Sequence, residues 1–283
     1  MPMRIGSYEV HSIETGEFAL DGGAMFGVVP KTLWSKRVGV DERNRIDMRL
    51  RCLLLQGDGR NILIDCGMGD KWDEKMRDIY RLDTSKMSLE KSLAAHHLTF
   101  DKITDVILTH LHFDHAGGST LKDNQGKLVP TFPKATYTVQ KKNLDWAQNP
   151  TEKDRASYIK EDWEPLLKAG ILKIIDGEKE ILPGIHAKLF FGHTQGIQLS
   201  LLDDGKQKLF FCGDVIPTSI HLGIPWVMAY DNFPLTTMKE KKEILEKAAK
   251  EKWILVFEHC PHLAASYVAQ TDKGYQPTES VNL

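Results

Sequence analysis

The feature that most constrains the fold of this chain is a dense cluster of metal-competent side chains directly after a short apolar run. The apolar residues 106–108 lead into residues 109–118, which hold three imidazoles and one carboxylate within six positions: His110, His112, Asp114 and His115. An apolar core satisfies such groups poorly, because buried polar atoms need hydrogen-bond partners. The cluster therefore predicts a strand that ends in a ligand site.

The same pattern recurs at three later points of the chain. One apolar run precedes His193, another precedes Asp214, and a third precedes His259. Strand ends at one edge of a sheet lie close in space, so side chains from distant parts of the sequence can converge there. A single histidine after a strand is more often structural, but the coincidence of these strand ends predicts one shared site.

The spacing within the cluster predicts two metal positions. His110 and His112 bracket a single residue, so both rings can face one ion, whereas Asp114 and His115 follow a bend and face a neighbouring position. Two ions roughly 3.5–4 Å apart would use all of these donors. Imidazole and carboxylate donors suit Zn²⁺, Fe²⁺, Co²⁺ or Mn²⁺, and the lack of a thiolate cluster argues against a structural zinc site.

Composition and patterning argue against several other classes of protein. The chain has 283 residues, of which 41% are hydrophobic and 27% charged, and neither a linker nor a repeat divides it, so we expect a single domain over residues 1–283. The formal charge of −2 and the lack of a long basic run argue against a nucleic-acid partner. No segment approaches membrane-spanning length, the first residues do not resemble a signal peptide, and the scattered cysteines favour reduced thiols and a cytoplasmic location.

The order of these motifs resembles that of the metallo-β-lactamase-fold hydrolases over nearly the whole chain. The resemblance implies an α/β (α+β) fold, a four-layer αββα sandwich with a dinuclear site at one edge. It assigns seven residues to two divalent ions: His110, His112 and His193 to the first, Asp114, His115 and His259 to the second, and Asp214 to both. Asp65 matches the acidic residue of the family's first motif, which favours a carboxylate that supports the histidine loop over a turn-forming aspartate.

Within the superfamily, residues 21–31 and 225–231 resemble the quorum-quenching lactonases of the YtnP type, which are similar to N-acyl-homoserine lactonases. The resemblance implies a metal-dependent hydrolase that opens lactone rings with two divalent ions per chain, zinc being the first expectation. Asp114 would relay a proton to the leaving alkoxide. The alternatives are a phosphotriester hydrolase of the methyl parathion hydrolase type and another ester or thioester hydrolase of this fold. A non-catalytic binding protein is a further alternative, against which the complete ligand set argues.

Large apolar residues in two loops predict the walls of a substrate groove. Residues 14–45 would form an extension over the site or a dimer contact, and the predicted groove residues are Met25, Phe26, Trp34, His221, Trp226 and Tyr230. Such a groove would take a small lactone or ester with an apolar tail, and large apolar residues in a loop favour a homodimer. The alternative is that these side chains only pack the loops, with His221 an ordinary loop histidine.

Two departures from the resemblance bear on the site, whereas Gln195 in place of a common proline has little consequence for metal ligation. Pro217 stands where some lactonases have a tyrosine that polarises the substrate carbonyl, and Tyr230 from the next loop is the candidate substitute. Cys260 stands where relatives usually have an aspartate after the last histidine, which leaves open what supports the His259 ring.

Local patterns predict the elements around these motifs. Residues 48–66 and 199–212 have the alternating runs and turn residues of two hairpins. Thr237 and Glu240 have the spacing of a capping box, which predicts that a helix begins at Thr237 and continues to about Lys252. Residues 253–257 read as a last buried strand before His259.

Overall fold

The computed structural model describes residues 2–283 and divides them into two compact units. The first unit comprises the chain up to Glu17 together with Leu50–Gly177, and the second comprises Phe18–Arg49 together with Glu178–Leu283. The single domain expected over residues 1–283 stays a prediction. Across residues 2–283, no helix combines the length and the apolar character needed to cross a membrane.

Strands and helices are numbered here in chain order. The strands are β1 (Met3–Ile5), β2 (Tyr8–Asp21), β3 (Arg45–Gly57), β4 (Arg60–Ile64), β5 (Asp105–Ile107), β6 (Thr120–Lys122), β7 (Leu128–Pro130), β8 (Thr136–Gln140), β9 (Leu172–Ile175), β10 (Lys179–Leu182), β11 (Ile185–Phe190), β12 (Ile197–Asp203), β13 (Lys208–Phe211), β14 (Ile254–Val256), β15 (Ala265–Thr271) and β16 (Gly274–Ser280). The α-helices are α1 (Gly22–Phe26), α2 (Lys31–Trp34), α3 (Glu74–Tyr80), α4 (Leu89–Ala95), α5 (Phe113–Ala116), α6 (Lys141–Gln148), α7 (Glu164–Lys168) and α8 (Pro234–Glu251).

A seven-stranded sheet has the order β1-β2-β3-β4-β5-β8-β9. The histidine cluster follows the end of its inner strand β5. Strands β4 and β5 are parallel, and Ile64 at the end of β4 pairs with Ile107 at the end of β5. The amide of Asp65 extends this pairing by donating to the carbonyl of Ile107 at 3.0 Å. Asp65 and the histidine turn therefore leave the sheet at the same edge, since parallel strands share the edge at which they end.

The second seven-stranded sheet, of order β10-β11-β12-β13-β14-β15-β16, carries the later motif residues. Strands β13 and β14 are parallel, with Phe211 opposite Val256. Asp214 and His259 each follow three residues beyond this pair, so both leave the sheet at one edge. His193 likewise follows three residues beyond the end of β11 at Phe190.

The central strands are continuous apolar runs because both of their faces are covered. Residues 52–55 of β3 and 62–64 of β4 have no exposed surface, and the hairpin between β3 and β4 confirms the one predicted at 48–66. The predicted hairpin of β12 and β13 is confirmed as well. Helix α6 packs on β8 in the first unit and α8 packs on β15 in the second. The chain therefore has the mixed α/β class that the sequence predicts.

Two expectations about local structure need correction. The predicted extension 14–45 is only partly a loop, because residues 14–21 complete β2 and α1 and α2 follow. Helix α8 begins at Pro234 rather than at Thr237, since proline is preorganised for the first turn of a helix. Strands β15 and β16 escaped prediction because their exposed outer residues are polar and Pro277 interrupts the edge strand.

Candidate metal centre

The four donors of the histidine cluster lie in the turn after β5, in the first unit, and all four are buried. His110 and His115 have no exposed surface, and His112 and Asp114 are 6% and 7% exposed. Nε2 of His110 lies 2.9 Å from Nδ1 of His112, so the two rings present nitrogens toward one point. Nε2 of His115 lies 3.6 Å from a carboxylate oxygen of Asp114, which forms a second pair of donors. The first unit thus contains both pairs that the spacing predicts.

Asp65 holds this turn from behind. Its backbone has a φ of 60°, and its carboxylate accepts from the amide of Thr109 at 2.7 Å and from the Thr109 hydroxyl at 2.6 Å. The second oxygen lies 3.0 Å from Nδ1 of His115. A carboxylate on the Nδ1 side of an imidazole keeps the proton there and leaves Nε2 as the electron-pair donor. These are the contacts of a support for the histidine loop.

The donors of the second unit meet around one carboxylate. One oxygen of Asp214 lies 3.2 Å from Nε2 of His193, and the other lies 3.0 Å from Nε2 of His259. His193 and His259 are each 1% exposed and Asp214 is 6% exposed. A carboxylate that offers one oxygen toward each of two imidazoles has the geometry of a ligand shared by two ions.

Both histidines of the second unit are supported on their far side. Nδ1 of His193 lies 3.0 Å from an oxygen of Asp231, and Nδ1 of His259 lies 2.8 Å from the carbonyl of Arg49. The carbonyl of Arg49 therefore supplies the support that Cys260 left open, while the Cys260 thiol lies 3.4 Å from the Ser219 hydroxyl. The carbonyl of Pro217, the other departure, accepts from the His259 amide at 2.9 Å and holds the backbone of this histidine.

Helix α8 holds the turn that carries His193. The Glu240 carboxylate accepts from the amides of Phe191 and Gly192 at 2.7 and 3.0 Å, and burial raises the pKa of this carboxyl group although both amides act to lower it. A side chain at Gly192 would collide with the backbone of Thr237 in α8. Glu240 thus anchors the His193 turn instead of forming the capping box predicted for it.

The donor set fits divalent metal ions. In each unit, buried imidazole nitrogens stand beside a carboxylate with ligand atoms within 4.8 Å of one another. Carboxylates or backbone carbonyls hold the opposite ring nitrogens of His115, His193 and His259, as second partners of metal-bound imidazoles do. Imidazole with carboxylate is the chemistry preferred by Zn²⁺ and other first-row divalent ions in catalytic sites.

The predicted groove residues of the second unit form an aromatic cluster. Met25, Phe26 and Trp34 are at most 1% exposed, and the Phe26 ring stacks on Trp34 and on His221 with centroids 5.2 and 5.0 Å apart. The Trp226 ring meets the edge of Phe26 at 5.7 Å and is half-buried. Tyr230, the last of the predicted groove residues, is 36% exposed. Contact of these six side chains with a substrate stays a prediction.

His221 is part of the support of this cluster. Its Nε2 donates to the carbonyl of Met25 at 2.8 Å, and its Nδ1 accepts from the Thr218 hydroxyl at 2.8 Å. Burial and the positive charge of Lys241 lower the pKa of His221 to about 3, which keeps the ring neutral. The ring therefore ties α1 to the turn at Ser219–Leu222.

Sequence reasoning missed a second aromatic group, which lies beside Asp114 in the first unit. The Phe113 ring contacts Trp72 at 5.1 Å and Tyr80 at 4.9 Å. Burial and the negative charge of Asp114 raise the pKa of Tyr80, so its hydroxyl stays protonated. Phe113 could have been found, because it stands between two donors of the cluster. Nothing in the polar helical pattern around α3 marks Trp72 or Tyr80.

Comparison with known proteins yields a family match over most of the chain. The model of the metallo-beta-lactamase superfamily matches residues 51–259. An N-acyl homoserine lactonase of Bacillus sp is 31% identical over 157 residues, which cover 54% of each chain. The N-acyl homoserine lactonase AiiA of Bacillus thuringiensis subsp. kurstaki is 28% identical over 162 residues, which cover 56% of each chain. The chain thus spans about half the length of the curated relatives it matches.

Solved structures resemble the chain over its whole length. A probable metal-dependent hydrolase from Staphylococcus aureus has a TM-score of 0.86 and 30% identity, covering 99% of this chain and 100% of its own. AidC, a dizinc quorum-quenching lactonase in complex with the product N-hexnoyl-L-homoserine, has a TM-score of 0.81 and 23% identity, covering 100% and 98%. The hydrolase AbOPH has a TM-score of 0.79 and 19% identity, covering 99% and 100%. At these identities the last two show a shared fold.

Proposed function

Because the chain belongs to the metallo-β-lactamase superfamily and has the fold of that family, we propose that it is a metal-dependent hydrolase that opens lactone rings. N-acyl homoserine lactones are the proposed substrates. Their support is the run of N-acyl homoserine lactonases among the curated relatives, and the lactonase structures that share the fold. An organophosphate triester or another ester is the competing substrate class.

The observation that carries the proposal is the position of Asp214, with one oxygen toward His193 and the other toward His259. This arrangement supports a carboxylate shared by two ions. We propose the complete ligand set on this basis: His110, His112 and His193 for one ion, Asp114, His115 and His259 for the other, and Asp214 for both. Zinc is the proposed metal, because imidazole and carboxylate donors with no thiolate suit catalytic zinc.

Two divalent ions supply, when bound, an activated water and a Lewis acid for the carbonyl group. The residues of the chain then have separate tasks. Asp65, Asp231 and the carbonyl of Arg49 fix the rings behind the donors. Proton transfer is assigned to Asp114, because a carboxylate beside an activated water can accept a proton and pass it on.

Ring opening adds the oxygen of water to the lactone carbonyl carbon and breaks the bond between that carbon and the ring oxygen. The proton released by the water passes through the Asp114 carboxylate to the ring oxygen, which leaves as a hydroxyl group. The products are one carboxylic acid, which releases its proton to the solvent and becomes a carboxylate at neutral pH, and one alcohol on the same molecule. No redox partner or further reactant is required.

The apolar part of the substrate needs an apolar surface near the donors. In the first unit, Trp72, Tyr80 and Phe113 offer aromatic surface beside Asp114. We propose that this group contacts the substrate in addition to the groove residues predicted from the sequence. Aromatic side chains bind aliphatic chains through burial of apolar area, at about 25 cal/mol per Å².

A homodimer and a cytoplasmic location are proposed with this function. Val28 precedes α2 and is 87% exposed, and Leu33 lies within α2 and is 52% exposed. Exposed apolar side chains of this kind are expected on a surface that a second copy covers. The four cysteines are buried thiols, which fits a reducing compartment.

The test is hydrolysis by the metal-loaded protein of a panel of compounds. The panel contains acyl homoserine lactones of increasing tail length, an aryl phosphotriester, a glutathione thioester and a β-lactam. The proposal expects kcat/KM to be highest for the lactones, with about two metal ions per chain. Turnover of the phosphotriester well above that of every lactone would replace the proposed substrate class.

A matched pair of histidine variants ties any activity to the donor set. His193→Ala removes a proposed ligand, whereas His186→Ala removes a histidine from β11 of the same unit that belongs to no donor group. The first variant is expected to lose metal and turnover, and the second to keep both. Fewer than one metal ion per wild-type chain, with no hydrolysis of any compound, would favour a non-catalytic binding protein.

A further inference from the structure

Helix α8 contains a buried lysine that donates hydrogen bonds to backbone carbonyls. Lys241 has no exposed surface, and its ammonium group donates to the carbonyls of Gly223, Ile224 and Trp226 at 2.9, 3.5 and 2.6 Å. A buried ammonium group is costly unless it makes good hydrogen bonds, and these neutral acceptors give it no opposite charge. Such a cost calls for a specific role.

The three acceptors belong to one tight turn. The amide of Trp226 donates to the carbonyl of Gly223 at 3.0 Å and closes the turn. Lys241 binds both the first and the last carbonyl of this turn, so it holds the turn from the side opposite to the solvent. Without the ammonium group, the turn keeps the hydrogen bond between Trp226 and Gly223 but loses those of Lys241 to its carbonyls.

The turn determines where the Trp226 indole lies. The indole packs so closely on Gly223 that an added Cβ there would lie 2.7 Å from its Cδ1 atom. The Phe26 ring meets the indole at 5.7 Å, and the guanidinium of Arg37 lies 4.8 Å from the ring centroid. Displacing the turn therefore displaces the one half-buried aromatic ring of this cluster.

Helix α8 also carries the anchor of the His193 turn. Glu240, the neighbour of Lys241 in the sequence, binds the amides of Phe191 and Gly192. One helix thus positions a proposed metal ligand through Glu240 and the Trp226 turn through Lys241. The His193 turn and the Trp226 turn therefore keep a fixed relative position, because adjacent residues of one rigid helix hold them.

We propose that Lys241 is a positioning residue that sets the selectivity for the apolar tail of the substrate, by fixing the Trp226 turn relative to His193. The selectivity part of this inference rests on the proposed function, whereas the positioning part does not. Burial lowers the pKa of Lys241 to about 7, with the negative charge of Asp231 opposing the shift. The ammonium form, with its three donors, is therefore present only up to about neutral pH.

The positioning part is tested by hydrogen exchange at the amide of Trp226, followed by mass spectrometry at pH 6. Lys241→Met keeps the length of the side chain and removes its donors, and it should speed exchange at Trp226 by about tenfold or more. The matched control is Lys242→Met, which alters a side chain that is 64% exposed and 3.8 Å from Glu246. The control should leave exchange at Trp226 unchanged.

The selectivity part is tested with lactones of short and long tails. Lys241→Met should raise KM for the longest tail by about tenfold, equal to 1.4 kcal/mol of binding, with a much smaller change in kcat. Gly223→Ala pushes the indole away while Lys241 is intact, and it should produce the same selective rise in KM. The double variant Lys241→Met with Trp226→Ala should be no worse than Trp226→Ala alone.

The outcomes separate the two parts. Unchanged exchange at Trp226 in a folded Lys241→Met variant overturns the positioning role. If that variant does not fold, the same measurement is made on Lys241→Leu, which also has no donor, and unchanged exchange again overturns the role. Faster exchange without any lactone hydrolysis by the wild type supports the positioning role and refutes the proposed function. Equal rises in KM for short and long tails overturn the selectivity role.

Discussion

One oxygen of Asp231 lies 3.0 Å from Nδ1 of His193, on the side of the ring opposite to Asp214. The other oxygen accepts from the amide of Met228 at 3.1 Å, so the carboxylate joins a proposed ligand to the loop that carries Trp226. Nothing in the local sequence marks this aspartate as different from other loop aspartates. Its position behind the ring gives it a function that the sequence motifs do not include.

Asp231→Ala should weaken metal binding. The His193 ring would lose the acceptor that fixes its Nδ1 proton, and loss of such a partner costs about 10- to 100-fold in metal affinity. Competition with a chromogenic chelator measures the change. Asp272→Ala, at the exposed turn between β15 and β16, is the control and should bind metal as the wild type does. Equal affinity of the two variants would contradict the role given to Asp231.

Asp114→Asn should separate metal binding from proton transfer. An amide oxygen can still act as a ligand, but the group no longer accepts a proton, so kcat for lactones should fall by about 10²- to 10⁴-fold. Metal analysis of the same sample should show that a substantial part of the metal stays bound. Wild-type turnover in this variant would refute the proton transfer through Asp114.

The strand ends and the donors could be predicted from the sequence because each follows an apolar run within a few residues. His110, His193, Asp214 and His259 all have this signal, and it depends only on local order. The supports of these donors have no such signal. Asp231 and the carbonyl of Arg49 lie 38 and 210 residues from the histidines they hold, and a backbone carbonyl has no residue type at all.

The burial of Lys241 and its hydrogen bonds could not be predicted from the sequence either. A lysine in a polar helical segment predicts a solvated face, and its neighbours Lys239 and Lys242 are of the same type. Tertiary structure decides otherwise, because the carbonyls of the Trp226 turn come from a different part of the chain. The pattern also predicted groove walls from Met25, Phe26 and Trp34, but it could not tell that these three side chains are themselves buried.

Tyr80→Phe should lower the activity more than Tyr230→Phe does. Burial and the negative charge of Asp114 raise the pKa of the Tyr80 hydroxyl. The hydroxyl therefore stays protonated and remains a hydrogen-bond donor through the working range of pH. A hydrogen-bond donor beside the proposed metal ligands can polarise a substrate carbonyl. Its loss should reduce kcat by about 10- to 100-fold. Tyr230, at 36% exposure, was the candidate chosen from the sequence. The opposite order of the two variants would restore that choice.

Lys71→Met should destabilise the first unit. The Lys71 ammonium lies 3.1 Å from Asp162, which is 2% exposed, and it also donates to the carbonyls of Gly117 and Thr120 behind the histidine cluster. Breaking a buried pair leaves one charge uncompensated, which costs about 3–5 kcal/mol in the free energy of unfolding. Chemical denaturation at pH 8 measures this loss, and Lys102→Met, a change at a 60% exposed side chain, is the control.

The loss from Lys71→Met should shrink at low pH. Burial already raises the pKa of Asp162 to about 6 in the presence of Lys71, against its ordinary 3.8, and removing Lys71 raises it further. An acid whose folded pKa lies above its unfolded pKa takes up its proton first in the folded state, so the penalty is full above the folded pKa and fades as the pH falls. A penalty at pH 5 as large as that at pH 8 would contradict this account.

The affinity for long-tailed lactones should fall as the pH rises through about 7. Lys241 loses a proton there rather than near its ordinary 10.5, because burial lowers its pKa to about 7. The neutral amine has two donors for three carbonyls, so the Trp226 turn loosens on the alkaline side. Of the groups that face the amine, the charge of Asp231 opposes the shift, and His221 has a pKa of about 3 and does not supply this transition. KM for a long tail divided by KM for a short tail, measured from pH 6 to 9, should rise in the wild type and be constant in Lys241→Met. A rise of the same size in both proteins would show that another group titrates.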